Sequence, residues 1–109
     1  MKLVIAIVNA DDVNAVVLNL TRNGFSATRM PTTGGFLMAK NVTVLVGVDE
    51  EKVQAVIDII KEHSHSRKQV IPASTGSGMG YAFQSSIPLE VNVGGATIFV
   101  VDVEQFLRV

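Results

Sequence analysis

A repeat with an offset of 40 residues constrains the fold of this chain more than any other feature. The segment Val13-Asn14-Ala15-Val16-Val17 aligns without a gap with Val53-Gln54-Ala55-Val56-Ile57. Both segments place apolar residues on one helical face. An apolar, strand-like run precedes each of them, Leu3–Val8 before the first and Val42–Val48 before the second. The sequence therefore predicts two copies of one strand–helix–strand unit.

The other predicted strands complete an α+β arrangement. The first unit ends with a strand over Phe25–Met30. In the second unit, Gln69–Ile71 or Ile87–Val93 is a strand, and Ala96–Val103 is the last one. The order βαββαβ is that of the ferredoxin-like fold.

Capping residues mark the expected helix ends. Asp11 or Asp12 can cap the first helix, and Asp49 starts the second. Gly24 stands where a left-handed residue commonly ends a helix. We also expect a short turn or helix within Val103–Leu107.

Length and composition indicate one globular domain over residues 1–109. With a net charge of −1, the sequence shows no basic patch of the kind that binds duplex nucleic acid. The longest apolar run, Leu3–Val8, is too short to insert in a membrane, and no signal peptide is expected. The absence of cysteine excludes disulfides and agrees with a cytoplasmic location.

Three predicted strands are apolar on both faces, although two helices can cover only one face of a four-stranded sheet. These strands lie within Leu3–Val8, Val42–Val48 and Ile98–Val101. A large bare apolar face is not stable in water as a monomer surface. The sequence therefore predicts a closed symmetric oligomer that packs sheet faces together.

The segment Thr32-Thr33-Gly34-Gly35-Phe36-Leu37 lies between two predicted strands, and Asn41 follows it. Adjacent glycines let a ligand approach the backbone closely, and their N–H groups can line an anion site. Phe36 offers a stacking surface and Asn41 an amide for a base edge. A nucleotide site is one interpretation. The local sequence favours the other, a plain hairpin turn with Phe36 in the core.

A second diglycine and a long insertion occur in the other half. Pro72–Ser86 is rich in Gly and Ser and is long for a connection, so it is functional or disordered. No Gly-Lys-Ser/Thr follows its glycines, which argues against a Walker-type site. Gly94-Gly95 is typical of a tight turn or bulge. The functional alternative makes Phe99 a second aromatic contact near the first site.

Catalysis and metal binding find little support in the sequence. His63 and His65 end the second predicted helix, do not share a helical face, and have no third ligand nearby. The same helix end would be stabilised by these imidazoles and by Arg67-Lys68. The carboxylates at the helix starts are explained by capping. We therefore expect no enzyme, no metal and no cofactor, although the fold alone does not exclude an enzyme.

Several motifs together resemble the PII-like cyclic-di-AMP receptor proteins of Gram-positive bacteria. The resemblance covers essentially the whole chain, including the βαββαβ order and the long glycine-rich loop. The residues that carry it are Thr32–Leu37, Asn41, Gly47-Val48, Pro88, Glu90-Val91, Val93–Thr97 and Phe99-Val100.

The resemblance implies a homotrimer that binds one cyclic dinucleotide, cyclic-di-AMP or a related adenine nucleotide, in each cleft between subunits. It further implies loop changes that an unknown protein target senses. The implied contacts are Thr28 and Gly35 to phosphate, Phe36 and Leu37 against adenine, Asn41 and Gly47 at an adenine edge, and Phe99 from the neighbouring chain.

The sequence departs from the family pattern at three positions. Gly24 and Ser26 stand where the family usually has Asn and Arg, and Arg108 where it has Gln. Loss of an Arg removes a planar, permanently charged donor. Arg29 or Arg108 could replace it. The alternative function is a trimeric protein-interaction module that has lost dinucleotide binding.

Overall fold

The computed structural model describes residues 1–31, 40–71 and 89–109. Two helices and six strands occur in these ranges. The helices are α1 (Val13–Arg22) and α2 (Val53–Ser64), and a short 3-10 turn (Glu50–Lys52) precedes α2. The strands are β1 (Lys2–Asn9), β2 (Ala27–Pro31), β3 (Asn41–Val48), β4 (Arg67–Ile71), β5 (Leu89–Val93) and β6 (Ala96–Asp102).

The predicted repeat is confirmed. Helices α1 and α2 begin at Val13 and Val53, the first residues of the two aligned segments. Strands β1 and β3 precede them in the same relative positions. Gly24 has φ of +85°, and its N–H donates to the Thr21 carbonyl, as expected of a left-handed residue that ends α1.

One antiparallel sheet has the strand order β2-β3-β1-β6. This order is that of the predicted ferredoxin-like arrangement, in which β1 and β3 are central. Strand β2 begins at Ala27, two residues later than expected. Phe25 instead packs, partly buried, against the core.

The core lies between the sheet and the two helices, and alternate strand residues point into it. Its fully buried members are Val4, Ala6, Val8, Val16, Leu20, Val44, Val46, Val56 and Ile60. The period of two in β1 and β3 and the helical spacing in α1 and α2 place all of them on facing surfaces.

The opposite surface of the sheet carries no helix of the described chain, and we call it the helix-free face. The strand registers assign it Leu3, Ile5, Ile7, Thr28, Met30, Thr43, Leu45, Gly47, Thr97, Phe99 and Val101. Phe99 is 52% exposed there and Met30 48%. The prediction that two helices leave one apolar face uncovered in the single chain is therefore confirmed.

Strands β4 and β5 pair with each other in a separate two-stranded sheet, the insertion hairpin. The sequence predicted either Gln69–Ile71 or Ile87–Val93 as one strand of the second unit. In the structure, β4 includes the first segment, β5 covers part of the second, and the two strands pair with each other. The whole of the glycine-rich insertion, Pro72–Ser86, lies outside the described residues.

Two expectations about chain ends are wrong. Residues 103–109 form no helix, because Phe106 and Leu107 are exposed and an isolated turn this short is unstable without packing. Asp12 occupies the position before α1, but its side chain makes no capping hydrogen bond. Its carboxylate binds Arg67 instead. Arg67 also donates to the carbonyl of His65, the C-cap residue of α2, at 3.2 Å, as expected of a cation at a helix end.

Candidate functional site

A cleft of about 1030 Å³ opens beside the ends of β2 and β3, and we call it the β2–β3 cleft. The connection between α1 and β2 forms one wall, the segment from β3 into α2 another, and the chain after β6 a third. It is lined by Met1, Leu3, Asn23, Gly24, Phe25, Ser26, Thr28, Leu45, Gly47, Val48, Asp49, Lys52, Ala55, Val103, Phe106 and Arg108.

The lining combines apolar surfaces with a few polar groups. Phe25 and Phe106 contribute aromatic rings, while Thr28 and Ser26 contribute hydroxyls. Among the polar residues, the Asn23 amide already donates to the Asn19 carbonyl at 2.7 Å. Mostly apolar walls with a small number of hydrogen-bonding groups are typical of small-molecule sites.

The two cationic side chains of the lining are Lys52 and Arg108. Lys52 ends the 3-10 turn, and Arg108 belongs to the segment after β6. Asp49 supplies a carboxylate on the same lining. Cations and hydroxyl donors in one cleft suit a ligand that carries phosphate groups.

Gly47 leaves an opening in the cleft wall. It lies on β3 facing the helix-free side, and a Cβ built on it would meet no atom within 4 Å. Its φ is not positive, so the backbone does not demand glycine. A glycine in a strand with open space above it often marks a place where a ligand or another backbone comes close.

The structure brings two of the predicted contact residues together. Thr28 and Gly47 line the same cleft, because Thr28 pairs with Leu45, two residues before Gly47 on the same face of β3. Gly35, Phe36 and Leu37 lie outside the described residues.

Asn41 and Phe99 share the helix-free face but lie away from the cleft. Asn41 and Gly47 are six residues apart at opposite ends of β3, which corresponds to about 20 Å. Phe99 is on the edge strand β6, three strand spacings from Thr28 on β2, or about 14 Å. A single chain therefore does not gather all the predicted contacts around one small ligand.

The three positions where the sequence departs from the family pattern share this cleft. Gly24, Ser26 and Arg108 all line it with Thr28 and Gly47. The departures from the family pattern thus fall in one region of the structure. The sequence did not indicate two further lining residues: Lys52, which looked like an ordinary residue near a helix start, and Phe106, which was expected in a terminal helix.

The described residues hold no group of three or more His, Cys, Asp or Glu side chains that could bind a metal ion. His63 lies in the last turn of α2 and His65 directly follows that helix, as the sequence predicts. Within the same described ranges, no helix is long and apolar enough to cross a membrane.

This chain is similar to known proteins over its full length or nearly so. A family model described as cyclic-di-AMP receptor matches residues 1–109. A crystal structure of a functionally unknown protein from Pediococcus pentosaceus ATCC 25745 is similar to this chain with a TM-score of 0.78. The two sequences are 40% identical, and the match covers 99% of this chain and 96% of that one.

Proposed function

The chain belongs to the cyclic-di-AMP receptor family, and we propose on this basis that it is a non-catalytic signalling protein that binds cyclic-di-AMP or a related adenine nucleotide. The family match over the whole chain is the observation that carries the proposal. The β2–β3 cleft supports it, since Thr28 and the open space at Gly47 occur together there with two cations.

The proposed assembly is a homotrimer with ligand sites between subunits. The helix-free face is apolar and exposes Met30 and Phe99. Packing of such faces around a closed ring removes them from water. Phe99 of a neighbouring subunit then completes the cleft of Thr28 and Gly47, which Phe99 of the same chain does not line.

The proposed contacts follow the chemistry of each group. The Thr28 hydroxyl donates to a phosphate oxygen, and Gly47 lets an adenine edge approach β3. Asn41 reads another adenine edge from the far end of the strand. Contacts of the Gly35 N–H with phosphate, and of Phe36 and Leu37 with adenine, rest on the family resemblance alone.

The proposed output is a change in loop conformation that a protein target detects in the cytoplasm. A ligand produces such a change only if it binds one conformation more tightly than another.

Isothermal titration of the full chain with cyclic-di-AMP, ATP and cyclic-di-GMP at one fixed salt concentration tests the proposal. We expect cyclic-di-AMP to bind most tightly. Gly47→Leu is the control variant, because its side chain enters open space and should block the cleft without a clash in the chain itself. Wild-type protein that binds none of the three nucleotides would overturn the proposal.

The alternative, a trimeric interaction module without ligand, is favoured by one observation. At the cleft, Gly24 has no side chain and Ser26 only a short hydroxymethyl group, so the arginine of the usual pattern, a strong phosphate-binding donor, is missing. A chain that forms trimers but gives no heat with any nucleotide would support this function.

A further inference from the structure

The turn between β1 and α1, the Asn9–Asp12 turn, is bonded to the beginning of β3. The Ala10 N–H donates to the Lys40 carbonyl at 2.9 Å. Within the turn, the Asp12 N–H donates to the Asn9 carbonyl at 2.9 Å. Asn9 is also the register partner of Asn41. The backbone around Asn41 is therefore hydrogen-bonded to this turn.

The same turn is bonded to the insertion hairpin through Asp12. The Arg67 guanidinium, at the start of β4, donates to both oxygens of the Asp12 carboxylate at 2.9 and 3.3 Å. The Asp12 side chain is only 9% exposed. The hydrogen bond and the charge of Asp12 raise the pKa of Arg67 above its ordinary value. Arg67 thus stays charged, and its planar fork fixes the geometry of the pair.

The other end of the hairpin packs against this ion pair. Gly94 and Gly95 connect β5 to β6 with φ of +79° and +90°. A Cβ on Gly94 would lie 2.8 Å from the His65 carbonyl oxygen and 3.2 Å from an Asp12 carboxylate oxygen. The Gly95 N–H donates to the Ser64 carbonyl. The ion pair and the diglycine turn together hold the base of the hairpin against the ends of α2 and β1.

We propose that the Asp12–Arg67 pair couples ligand contact at Asn41, a proposed adenine contact outside the β2–β3 cleft, to the position of the insertion hairpin. The proposal rests on the function proposed above, since it names how that site is read at a distance. A chain of described contacts supports it, running from Asn41 to Asn9, from Asn9 to Asp12, and from Asp12 to Arg67.

Arg67 also donates to the neighbouring His65 carbonyl at 3.2 Å, but no local sequence signal indicates its contact with Asp12. Asp12 makes no capping hydrogen bond to α1, and Arg67 is 55 residues away along the chain. The Asp12 side chain is 9% exposed and that of Arg67 41%, so removal of Arg67 leaves a largely buried carboxylate without its partner. Such a contact therefore holds the hairpin in one arrangement as long as the turn keeps its position, and it releases the hairpin when the turn moves.

Hydrogen exchange of the full chain, with and without cyclic-di-AMP, tests the coupling. In the wild type, the ligand should change exchange rates in β4 and β5 as well as in β3. In Arg67→Gln, the response of β3 should persist, and the response of β4 and β5 should fall about fivefold or more, the lower range of typical coupling factors. An unchanged hairpin response in Arg67→Gln would overturn the coupling and leave the proposed function intact.

Lys68→Gln is the matched control. Lys68 is the neighbouring cation in β4, and it lies 3.5 Å from Glu90 across the hairpin with both side chains exposed. Its removal should leave the ligand response of the hairpin as in the wild type. Loss of the response in this variant too would mean that hairpin charge in general is responsible, and would overturn the specific role of Arg67.

A measurement without ligand separates this proposal from the proposed function. In ligand-free Arg67→Gln, the Ala10 and Asp12 amides should exchange faster, because the turn loses its bond to the hairpin. Asp12→Asn should give the same effect, and the double variant no further one. Normal protection of these two amides in both single variants would overturn the coupling, whether or not the chain binds cyclic-di-AMP.

Discussion

Thr28 pairs directly with Leu45 across β2 and β3, so its side chain shares a sheet face with Leu45 and Gly47. Paired residues in an antiparallel ladder point to the same side. This register, rather than any single motif, brings a hydroxyl next to the open space at Gly47. The strand pairing therefore determines which predicted contacts one chain presents together.

Gly47→Val should weaken cyclic-di-AMP binding strongly without destabilising the chain. A Cβ at this position meets no atom of the described residues within 4 Å. A β-branched residue also favours the strand, so the free energy of unfolding should rise by about 0.5–1 kcal/mol. Calorimetric titration and urea unfolding measure the two effects.

Gly47→Ala provides the graded control, since its smaller side chain should weaken binding less than valine does. If both variants bind cyclic-di-AMP as tightly as the wild type, the ligand does not approach β3 at this position. A loss of stability in either variant would show that another part of the chain occupies the space.

The helix-free face should hold three chains together, and Phe99→Lys should dissociate them. Phe99 is 52% exposed on that face, and a buried lysine without a partner is costly at a subunit interface. Light scattering coupled to size exclusion should give three chains for the wild type and fewer for the variant.

Leu18→Lys is the matched control for this prediction. Leu18 is 49% exposed in the single chain, nearly as much as Phe99, but it lies on α1, away from the helix-free face. This variant should keep the wild-type mass. A monomeric wild type with a cooperative folding transition would contradict the trimer. If Phe99→Lys and Leu18→Lys dissociate the trimer equally, the helix-free face is not the specific interface.

The ion pair between Lys2 and Asp102 should stabilise the chain only within a limited pH range. The hydrogen bond from Lys2 lowers the pKa of Asp102 below 3.8, and hydrogen bonds to Asp102 and Glu50 raise the pKa of Lys2 above 10.5. The stabilising contribution is therefore complete between about pH 3.8 and pH 10.5. It is lost as pH falls through the lowered pKa or rises through the raised one.

Urea unfolding of the wild type and Asp102→Asn, at one protein concentration, measures this contribution. The difference in unfolding free energy should be constant from pH 5 to pH 9 and should shrink toward pH 3. Glu90→Gln is the control, because the exposed Lys68–Glu90 contact of 3.5 Å should contribute little at any pH. A difference that grows on acidification would contradict the assigned direction of the Asp102 shift.

The sequence predicts the main sheet well because its signals are local and repeated. Val13 and Val53 begin equivalent helices, and the apolar runs before them become β1 and β3. Periodicity of two and of 3.6 residues needs no long-range information. The position of Gly24 is also predictable, since a left-handed residue after a helix is a local requirement.

The hairpin base was not predictable, because it depends on contacts between distant segments. The local sequence around Asp12 is that of a helix-capping residue, yet its carboxylate accepts hydrogen bonds from Arg67, 55 residues later in the chain. A partly buried charge–charge contact is stronger than a cap hydrogen bond to the backbone. Among the described residues that the family resemblance implies as contacts, the register brings only Thr28 and Gly47 into one cleft. Asn41 and Phe99 fall at other places on the same face.

Ser26 stands where the family usually has an arginine, and restoring that arginine should strengthen ligand binding. Ser26 lines the β2–β3 cleft with Thr28, so an arginine at position 26 starts beside the proposed phosphate contact. Ser26→Arg, combined with Gly24→Asn, should tighten cyclic-di-AMP binding about tenfold or more, which corresponds to about 1.4 kcal/mol. Asn is a suitable replacement at Gly24 because it tolerates the φ of +85° better than other residues with a side chain.

Titration of both proteins at one salt concentration measures the gain, and Arg108→Gln shows whether the wild type already compensates. Arg108 lines the same cleft and carries a permanent charge. Equal, tight binding before and after Ser26→Arg, with weak binding in Arg108→Gln, would mean that Arg108 fills the role of the missing donor. Absence of binding in every variant would favour the interaction module, since Thr28 and Gly47 would then be insufficient to hold a nucleotide even with the arginine restored.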